Sequence, residues 1–514
     1  MKPKRRKGKV VLVGAGPGDP GLLTLKGAQG LRQADIVIYD WLVNPKLLEL
    51  APQAQKIFVG KRGDTKTRPK GKEQKKINRM LSRYAQQGKQ VVRLKGGDPF
   101  IFGRGGEEAA FLAEHNLPFE IVPGVSAGIG VPAYAGIPLT DRKFASQVTF
   151  VTGHEDPAKK TEKEDWKKLS AASGTLVFFM GVKNLPRIVK ALKEAGKPRQ
   201  TAVAVIEWGT LPHQRVVTGT LGDIVEKTRR ANMRPPALTV IGEVVRLRSK
   251  LAWFEKKPLR GKTVLVTRAR AQASELVERL ASEGAEVLEF PTLHILPPLR
   301  PEKIREAIQH LSQYDWVIFT SANGVQFFFD QVRYLHRDVR VFSGLKVAAI
   351  GEATAEVLEQ KGLKPDLIPK EFTSRALFET LRKAGQIAGK KFLLARADIA
   401  PPDLKKALEK EGAAKVVELE TYRTRQVSQR KAELLNWLRR RKIDYVTFTS
   451  SSTVKNFFEP IPDQIRKSLH THFVSIGPVT SQTLREYGFK PSREAKPHTM
   501  EGLVEALIQN GGKK

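Results

Sequence analysis

The chain has 514 residues, 40% hydrophobic and 28% charged, which is the composition of an ordinary globular protein too long for one hydrophobic core. It has no cysteine and no HxxxH or HExxH pattern, which excludes disulfides, thiolate ligands and cysteine nucleophiles and predicts no metal site. A net charge of +36 favours anionic partners. The basic residues are spread along the chain without interleaved aromatic residues, so nucleic acid is not the expected partner.

No apolar run is long enough for a membrane-spanning helix, which takes about 20 residues. The basic start, residues 1–9, is followed by a short apolar run that breaks at Gly14. This is not the pattern of a signal peptide, and it predicts a cytoplasmic protein.

The first elements predict a strand at residues 9–13, a helix at 23–33 and a strand at 36–40. The same alternation continues along the chain and predicts an α/β fold with parallel sheets. A strand-like run ends at Val245, a charged stretch follows over residues 246–260, and a new strand begins near Lys262. We therefore predict one domain over residues 1–255 and another over residues 260–514.

The second half repeats itself. Residues 315–325 match residues 444–454, an offset of 129 (444 minus 315), and both copies contain Phe-Thr-Ser. Downstream, residues 350–365 recur at 476–491, an offset of 126 (476 minus 350). A period this long does not fit a solenoid and predicts two similar α/β lobes.

The opening strand ends in a glycine-rich turn, residues 14–21, where backbone can approach a ligand. A dinucleotide site is one interpretation of this turn. However, Asp19 stands where GxGxxG requires glycine, and Pro17 and Pro20 oppose the start of a helix.

A longer ordered series of motifs favours a different ligand for this turn. It comprises residues 92–108, 122–127, 138–142, 151–154, 179–181 and 207–210. In this order the motifs resemble the tetrapyrrole (corrin and porphyrin) methyltransferases, specifically uroporphyrinogen III C-methyltransferase, over about residues 9–250. The resemblance implies two α/β lobes that hold S-adenosylmethionine between them. The donor contacts it implies are Pro17, Gly96, Gly97, Asp98, Ile101, Ser126, Ala127, Met180 and Gly209.

The implied chemistry is methyl transfer from a sulfonium to a pyrrole carbon, for which the enzyme mainly orients donor and acceptor. The resemblance implies Asp40 as the base that takes a ring proton and Lys61 as a proton donor. A helix cap or a structural turn acid is the alternative for Asp40, and a carboxylate-binding cation is the alternative for Lys61. Arg104 and Arg142 are expected to anchor substrate carboxylates.

One loop departs from the family pattern. Residues 64–72 contain no histidine, and the family's Gln-Glu-Glu-Ile-Asn is Gln-Lys-Lys-Ile-Asn at residues 74–78. This change from acidic to basic reverses the charge that the family carries near the loop.

The second half, about residues 260–510, resembles uroporphyrinogen III synthase. The motifs that carry the resemblance are residues 266–268, 319–325, 349–354, 421–423 and 474–477. It implies two Rossmann-like lobes joined by a two-segment hinge near residues 294–298 and 418–424. Lobe one would comprise residues 260–293 and 425–514, and lobe two residues 299–417.

The substrate implied is hydroxymethylbilane, a linear tetrapyrrole with eight carboxylates. The enzyme must fold this chain and help water to leave, and Tyr422 is the residue we expect to assist; a packed tyrosine is the alternative. The residues expected to bind carboxylates, largely through backbone, are Thr267, Ser321, Asn323, Thr449, Ser450 and Thr480. Helix capping is the alternative for each of them.

Together the halves predict a bifunctional enzyme that makes uroporphyrinogen III and methylates it twice to precorrin-2, on the sirohaem and cobalamin branch. A methyltransferase fused to a two-lobed ligand-binding module without synthase activity is the alternative. An RNA-associated methyltransferase is a further rival, which the full tetrapyrrole series of motifs argues against. By analogy with its family, the first half is expected to form a homodimer.

Overall fold

Four five-stranded sheets alternate with helices along the chain. The computed structural model describes residues 8–60, 72–153, 163–171, 174–268, 270–290, 293–426, 431–440 and 443–511. The chain divides into two compact units, of which one comprises Met1–Lys262, Leu280–Glu286 and Gly511–Lys514, and the other Thr263–Arg279 and Val287–Asn510. The α/β fold expected from the sequence is confirmed.

The first half contains ten strands and eight helices within the described ranges. The strands are β1 (Val10–Gly14), β2 (Ile36–Tyr39), β3 (Gln55–Phe58), β4 (Val91–Lys95), β5 (Phe119–Val122), β6 (Val148–Thr152), β7 (Thr175–Phe179), β8 (Ala202–Glu207), β9 (Arg215–Thr220) and β10 (Ala237–Ile241). The helices are α1 (Leu25–Arg32), α2 (Lys72–Gln86), α3 (Gly105–Glu114), α4 (Ala127–Tyr134), α5 (Lys163–Ala171), α6 (Leu185–Glu194), α7 (Ile224–Arg230) and α8 (Arg248–Leu251). Short 3₁₀ turns lie at Pro20–Leu22, Pro45–Leu50, Val182–Asn184, Glu243–Leu247 and Phe254–Lys256.

The first sheet is parallel, with the order β3-β2-β4-β1-β5. The inner strand β1 is apolar and largely buried, as expected for a parallel strand covered on both faces. Since β1, β4 and β2 are neighbours, the loops that follow them leave from one edge of the sheet. This is the edge where open α/β sheets bind ligands.

The second sheet has the order β6-β7-β10-β8-β9, and only β6 and β7 are parallel. Here the expectation of parallel strands is wrong. Residues 208–214 join β8 to β9, and this connection is too short for the crossover that a parallel pair requires. Helix α4 links the two lobes, and its Val131 and the following residue, Ala135, lie in the core of the second sheet.

The second half contains ten strands and eleven helices within the described ranges. The strands are β11 (Thr263–Val266), β12 (Glu286–Glu289), β13 (Leu293–Leu296), β14 (Trp316–Phe319), β15 (Lys346–Ala349), β16 (Lys391–Ala397), β17 (Lys415–Gln426), β18 (Tyr445–Phe448), β19 (His472–Ser475) and β20 (Arg493–Glu494). The helices are α9 (Arg270–Ser282), α10 (Pro301–Gln309), α11 (Ala322–Tyr334), α12 (Glu352–Gln360), α13 (Ser374–Lys383), α14 (Asp403–Lys410), α15 (Lys431–Arg440), α16 (Ser451–Phe458), α17 (Asp463–Lys467), α18 (Pro478–Glu486) and α19 (Met500–Gly511). Two 3₁₀ turns lie at Leu311–Gln313 and Val339–Phe342.

The repeat in the sequence is a repeat in structure. The third sheet has the order β12-β11-β18-β19-β20 and the fourth β13-β17-β16-β14-β15, so the repeated strands β18 and β14 each lie inside a sheet. Asp315 precedes β14 and accepts a hydrogen bond from the backbone of Lys391 at 2.8 Å. Asp444 precedes β18 and accepts one from Thr263 at 2.9 Å, so both copies fix the neighbouring strand in the same way.

Two segments carry the chain from the third sheet to the fourth and back. They are β13 and β17, which pair antiparallel with Leu296 opposite Arg423. The predicted two-segment hinge lies at this pair of strands. The lobe boundaries at residues 260–293, 299–417 and 425–514 stay a prediction.

Candidate active sites

The glycine loops of the first sheet are joined to each other. Gly97 donates to the carbonyl of Gly16 at 2.7 Å and accepts from Gly16 at 3.2 Å. Both residues have left-handed backbones, with φ of 69° and 76°, which glycine adopts without a steric penalty. A Cβ on Gly97 would lie 3.6 Å from the backbone nitrogen of Ala127, so the structure brings Gly97 to the start of α4.

Two further residues that are predicted to contact the methyl donor have structural roles. The carboxylate of Asp98 accepts hydrogen bonds from the backbone of Phe100 at 2.8 Å and of Gly124 at 3.0 Å. Ser126 is buried and caps α4 by accepting from Gly128 at 3.2 Å. The side chains of both residues therefore fix the local backbone.

Loops from both lobes meet around α4. A Cβ on Gly130 would lie 2.8 Å from Cγ of Pro17, and one on Gly209 would lie 2.4 Å from Val131. The remaining predicted contacts lie in adjoining loops: Gly96 next to Leu42, Ile101 one residue before Phe102, and Met180 one residue after Phe179. The Phe102 and Phe179 rings lie 5.0 Å apart, which joins the two loops.

Backbone strain is concentrated in these loops. The structure describes eight non-glycine residues with left-handed backbones, and five of them lie here: Phe102, Arg104, Met180, Trp208 and Thr210. Each such residue costs on the order of 1–3 kcal/mol, and such conformations cluster at binding and catalytic sites. The strain therefore marks the same loops as the predicted donor contacts.

Asp40 is held by a buried ion network. Arg93, 2% exposed, donates to Asp40 at 2.6 Å and to Glu108 at 3.1 Å, and Lys95 also pairs with Glu108. Burial opposes the charge of Arg93, but Asp40 and Glu108 outweigh it and raise the pKa of Arg93. Burial, with the charge of Arg93, lowers the pKa of Lys95.

Sequence reasoning missed Arg93, Lys95 and Glu108 as functional residues. Two lysine or arginine residues in the otherwise apolar strand β4 were the available signal. Since buried charges are almost always paired, this pattern predicts buried acidic partners.

The cationic side chains that are predicted to bind the substrate lie in different surroundings. Arg104 begins α3 and forms a double hydrogen bond with Glu107 at 2.8 and 2.6 Å. That hydrogen bond is the main cause that raises the pKa of Arg104 and lowers the pKa of Glu107. Arg142 is exposed in the turn that follows Asp141. Lys61 lies outside the described residues, as does most of the altered loop at residues 64–72.

In the second half the structure brings Tyr422, Ser321 and Asn323 together. Tyr422 is 8% exposed, Ser321 and Asn323 lie beside its hydroxyl, and its ring stacks on Phe327 with centroids 6.1 Å apart. Burial raises the pKa of Tyr422, while the polar side chains of Ser321 and Asn323 act in the opposite direction and the charge of Asp398 adds to the rise. The phenol therefore stays protonated throughout the neutral range and can donate a proton.

Helix capping, the alternative for the predicted carboxylate binders, occurs at two of them. Ser321 caps α11 by accepting from Gly324 at 3.1 Å. Ser450 caps α16 by accepting from Thr453 at 3.3 Å, and the Thr453 hydroxyl accepts from the backbone of Ser450 at 3.2 Å. Each of these hydroxyls therefore acts as an acceptor at a helix N-terminus.

The other predicted binders lie at one edge of the third sheet. The Thr267 hydroxyl is buried and donates to the carbonyl of Thr447 at 2.7 Å. Thr449 follows β18, and Thr480 is buried in the first turn of α18. They lie on a different sheet from Tyr422, Ser321 and Asn323.

We expect Ser321→Ala and Ser450→Ala each to lower the free energy of unfolding of the second half by about 1 kcal/mol, the usual loss for a helix cap. The two capped helices, α11 and α16, follow strands of separate sheets, so the effects of the two substitutions should add in the double variant. Urea unfolding of the full chain measures this. Ser343→Ala is the control, since Ser343 caps no helix start. A loss no larger than that of Ser343→Ala would contradict the capping role.

None of the helices within the described ranges is long and apolar enough to cross a membrane. In the same part of the chain, no group of three or more His, Cys, Asp and Glu residues is arranged to hold a metal ion.

Comparison with known proteins identifies the family of each half. The family model for tetrapyrrole (corrin/porphyrin) methylases matches residues 9–225, and that for uroporphyrinogen-III synthase HemD matches residues 274–505. The porphyrin biosynthesis protein HemD of Ruminiclostridium josui is 36% identical over 507 residues, which is 98% of each chain. The uroporphyrinogen-III C-methyltransferase of Methanocaldococcus jannaschii is 51% identical over 243 residues, 46% of this chain and 97% of its own.

A solved structure is also similar to the first half. It is the uroporphyrin-III C-methyl transferase from Thermus thermophilus complexed with S-adenyl homocysteine, 41% identical over 47% of this chain and 100% of its own, with a TM-score of 0.40. The resemblance to two families seen in the sequence is confirmed by the family models and by the full-length relative. The chain is therefore an enzyme that belongs to the tetrapyrrole methylases in its first half and to the uroporphyrinogen-III synthases in its second.

Proposed function

We propose that the chain cyclises hydroxymethylbilane to uroporphyrinogen III and methylates this product twice with S-adenosylmethionine to precorrin-2. The observation that carries the proposal is the convergence around α4 of the residues of both lobes that are predicted to bind the methyl donor. In the second half of the same chain, Ser321 and Asn323 lie beside the hydroxyl of Tyr422. One relative is named a porphyrin biosynthesis protein and another a uroporphyrinogen-III C-methyltransferase, and these names support both steps.

The loops around α4 fit an adenosyl sulfonium donor. Glycines 96, 97 and 209 have no side chain to keep a ligand away from the backbone, and Ile101 and Met180, 38% and 53% exposed, offer apolar surface. When bound, the donor supplies an electrophilic methyl group. The Trp41 and Trp208 rings, one from each lobe, lie 5.5 Å apart and are proposed to limit the access of water.

Asp40 is proposed to accept the proton that leaves the methylated ring. Its side chain is 30% exposed, so it can face a substrate, and Arg93 fixes its orientation from the buried side. Arg104 and Arg142 are proposed to bind substrate carboxylates. Because Glu107 already holds Arg104, a substrate carboxylate must share or displace this pair.

In the second half, departure of the bilane hydroxyl as water produces an azafulvene, and closure through a spiro intermediate inverts the last ring. Tyr422 is proposed to donate its phenolic proton to the leaving hydroxyl. The loops after β14 and β18 are proposed to hold the carboxylates through their backbone N–H groups, since the serine side chains cap helices.

The synthase reaction should keep its rate above pH 10, the ordinary pKa of a tyrosine, because burial raises the pKa of Tyr422 and its phenol stays protonated. We expect Tyr422→Phe to lower the rate of enzymatic ring closure by about 10²-fold, and to remove the loss of activity that follows ionisation at high pH. The ratio of type III to type I product against pH measures this. Tyr334→Phe, at an exposed tyrosine of the same half, is the control. A Tyr422→Phe variant with the native rate and pH profile would exclude the proposed proton donor.

The methylation step can be tested alone. The full chain is supplied with uroporphyrinogen III and S-adenosylmethionine under anaerobic conditions, and products are analysed by mass. A gain of two methyl groups supports the proposal, and unchanged uroporphyrinogen III contradicts it.

A further inference from the structure

The donor loops are braced by a segment that follows the last strand of the first half. We call residues 248–260 the C-terminal clamp; it contains α8 and the turn Phe254–Lys256. The clamp lies beyond the residues matched by the methylase family model, which end at residue 225. None of the predicted donor or substrate contacts belongs to it.

The clamp is fastened to the end of α4. Trp253 donates its ring N–H to the carbonyl of Ala133 at 3.0 Å. Gly136, with φ of 68°, lies so close to the clamp that a Cβ there would be 2.3 Å from the carbonyl oxygen of Leu251. The clamp and this end of the helix therefore form one packed body.

Glu255 is the inner anchor of the clamp. Its side chain is 10% exposed, and it accepts two hydrogen bonds from Arg248 at 3.1 and 3.2 Å and one from Gln214 at 3.0 Å. Burial alone would raise the pKa of Glu255, but these hydrogen bonds outweigh it and lower the pKa. Glu255 is thus a charged acceptor at neutral pH.

This charge sets the direction of the Gln214 amide. Gln214 is 1% exposed, and its NH₂ group donates to Glu255 and to the carbonyl of Tyr134 at 3.3 Å. The amide oxygen must then face the opposite way, where it accepts from the backbone of Thr210 at 2.9 Å. A carboxylate accepts only, so it permits this amide orientation and not the reverse.

Thr210 connects Gln214 to the first glycine loop, residues 14–21. Its hydroxyl accepts from the backbone of Asp19 at 3.0 Å, and Asp19 also accepts from the Tyr134 hydroxyl at 2.7 Å. Thr210 has φ of 67°, a conformation that a β-branched residue adopts only when its surroundings enforce it. It follows Gly209, one of the predicted donor contacts.

We propose that Glu255 and Gln214 are positioning residues for the methyl donor: through Thr210 they hold the loops that contain Gly209 and Pro17 in the shape that binds it. Affinity for the donor therefore depends on a clamp that makes no contact with the donor. The inference rests on the proposed use of S-adenosylmethionine by the first half.

The test is the affinity of the full chain for S-adenosylhomocysteine, measured by titration calorimetry. We expect Glu255→Gln to weaken binding about tenfold, the usual effect of losing hydrogen bonds to a buried charge. The KM for S-adenosylmethionine should rise while kcat at saturation changes little. Glu226→Gln removes a matched but exposed glutamate that pairs with Arg229 and Arg230, and it should leave the affinity unchanged.

Calorimetry separates positioning from loss of folded protein, since misfolded chains lower the stoichiometry and leave the dissociation constant of the folded ones unchanged. If Glu255→Gln does not fold, Arg248→Lys takes its place, because lysine keeps the charge but loses the double hydrogen bond. It should weaken binding in the same direction.

A double-mutant cycle with Thr210→Val tests the pathway. If Glu255 acts through Thr210, the double variant should bind almost as well as the weaker single variant. Native affinity in Glu255→Gln, or independent effects that multiply in the cycle, would overturn the inference. Failure of the native chain to bind S-adenosylhomocysteine would instead overturn the proposed donor.

Discussion

Replacing Arg93 by methionine is expected to lower the free energy of unfolding of the first half by about 3–5 kcal/mol, the usual effect of removing one partner from a buried ion pair. Arg93 is 2% exposed and is shared by Asp40 and the fully buried Glu108. Methionine fills much of the same volume but leaves Glu108 with the Lys95 ammonium and the neutral amide of Gln74. Thermal and urea unfolding of the full chain, followed by circular dichroism, measure the change.

Arg93→Lys should lower the free energy of unfolding by less than Arg93→Met, because lysine keeps the charge. It should still be less stable than the native chain, because an ammonium cannot bind both carboxylates with the geometry of a guanidinium. Arg229→Met is the matched control, since Arg229 pairs with Glu226 on the surface, where ion pairs contribute little. If Arg93→Met unfolds like the native chain, the network does not stabilise the fold.

Asp40→Asn is expected to lower the rate of methylation by about 10²–10⁴-fold at saturating substrates, the usual contribution of a positioned general base. Asparagine can still accept the hydrogen bond from Arg93 through its amide oxygen, but it cannot take a ring proton at neutral pH. The fold and the affinity for S-adenosylhomocysteine should therefore be retained.

The second half provides the control for this variant. The proposed ring closure of the bilane uses Tyr422 and should proceed at the native rate in Asp40→Asn. A native rate of methylation would exclude Asp40 as the proton acceptor, and the alternative of a structural turn acid would then hold.

Much of the fold follows from the sequence because periodicity and apolar runs report local structure. The first strand, helix and strand lie at Val10–Gly14, Leu25–Arg32 and Ile36–Tyr39, within about two residues of the predicted bounds. The repeat at residues 315 and 444 likewise predicted two similar sheets. Strand direction was not predictable in the same way, since a strand has the same period in either direction, and the second sheet is mostly antiparallel.

The site was predictable only where motifs are ordered and specific. Gly97, Ala127 and Gly209 come together around α4, whereas Ser321 and Ser450 use their side chains as helix caps. A serine before a helix has the same sequence pattern in both roles, and geometry alone separates them.

The supporting residues were missed for a different reason. Glu108, Gln214 and Glu255 act through partners that are distant in sequence, such as Arg93 and Thr210. Pair interactions of this kind depend on tertiary packing, which a single sequence does not display.

The most direct measurement is anaerobic incubation of the purified chain with hydroxymethylbilane, with and without S-adenosylmethionine, with products identified by mass and by isomer. We expect the type III ring without the donor, and a product carrying two added methyl groups with it. Spontaneous type I ring in both reactions, with methylation only of supplied uroporphyrinogen III, would contradict the synthase half of the account.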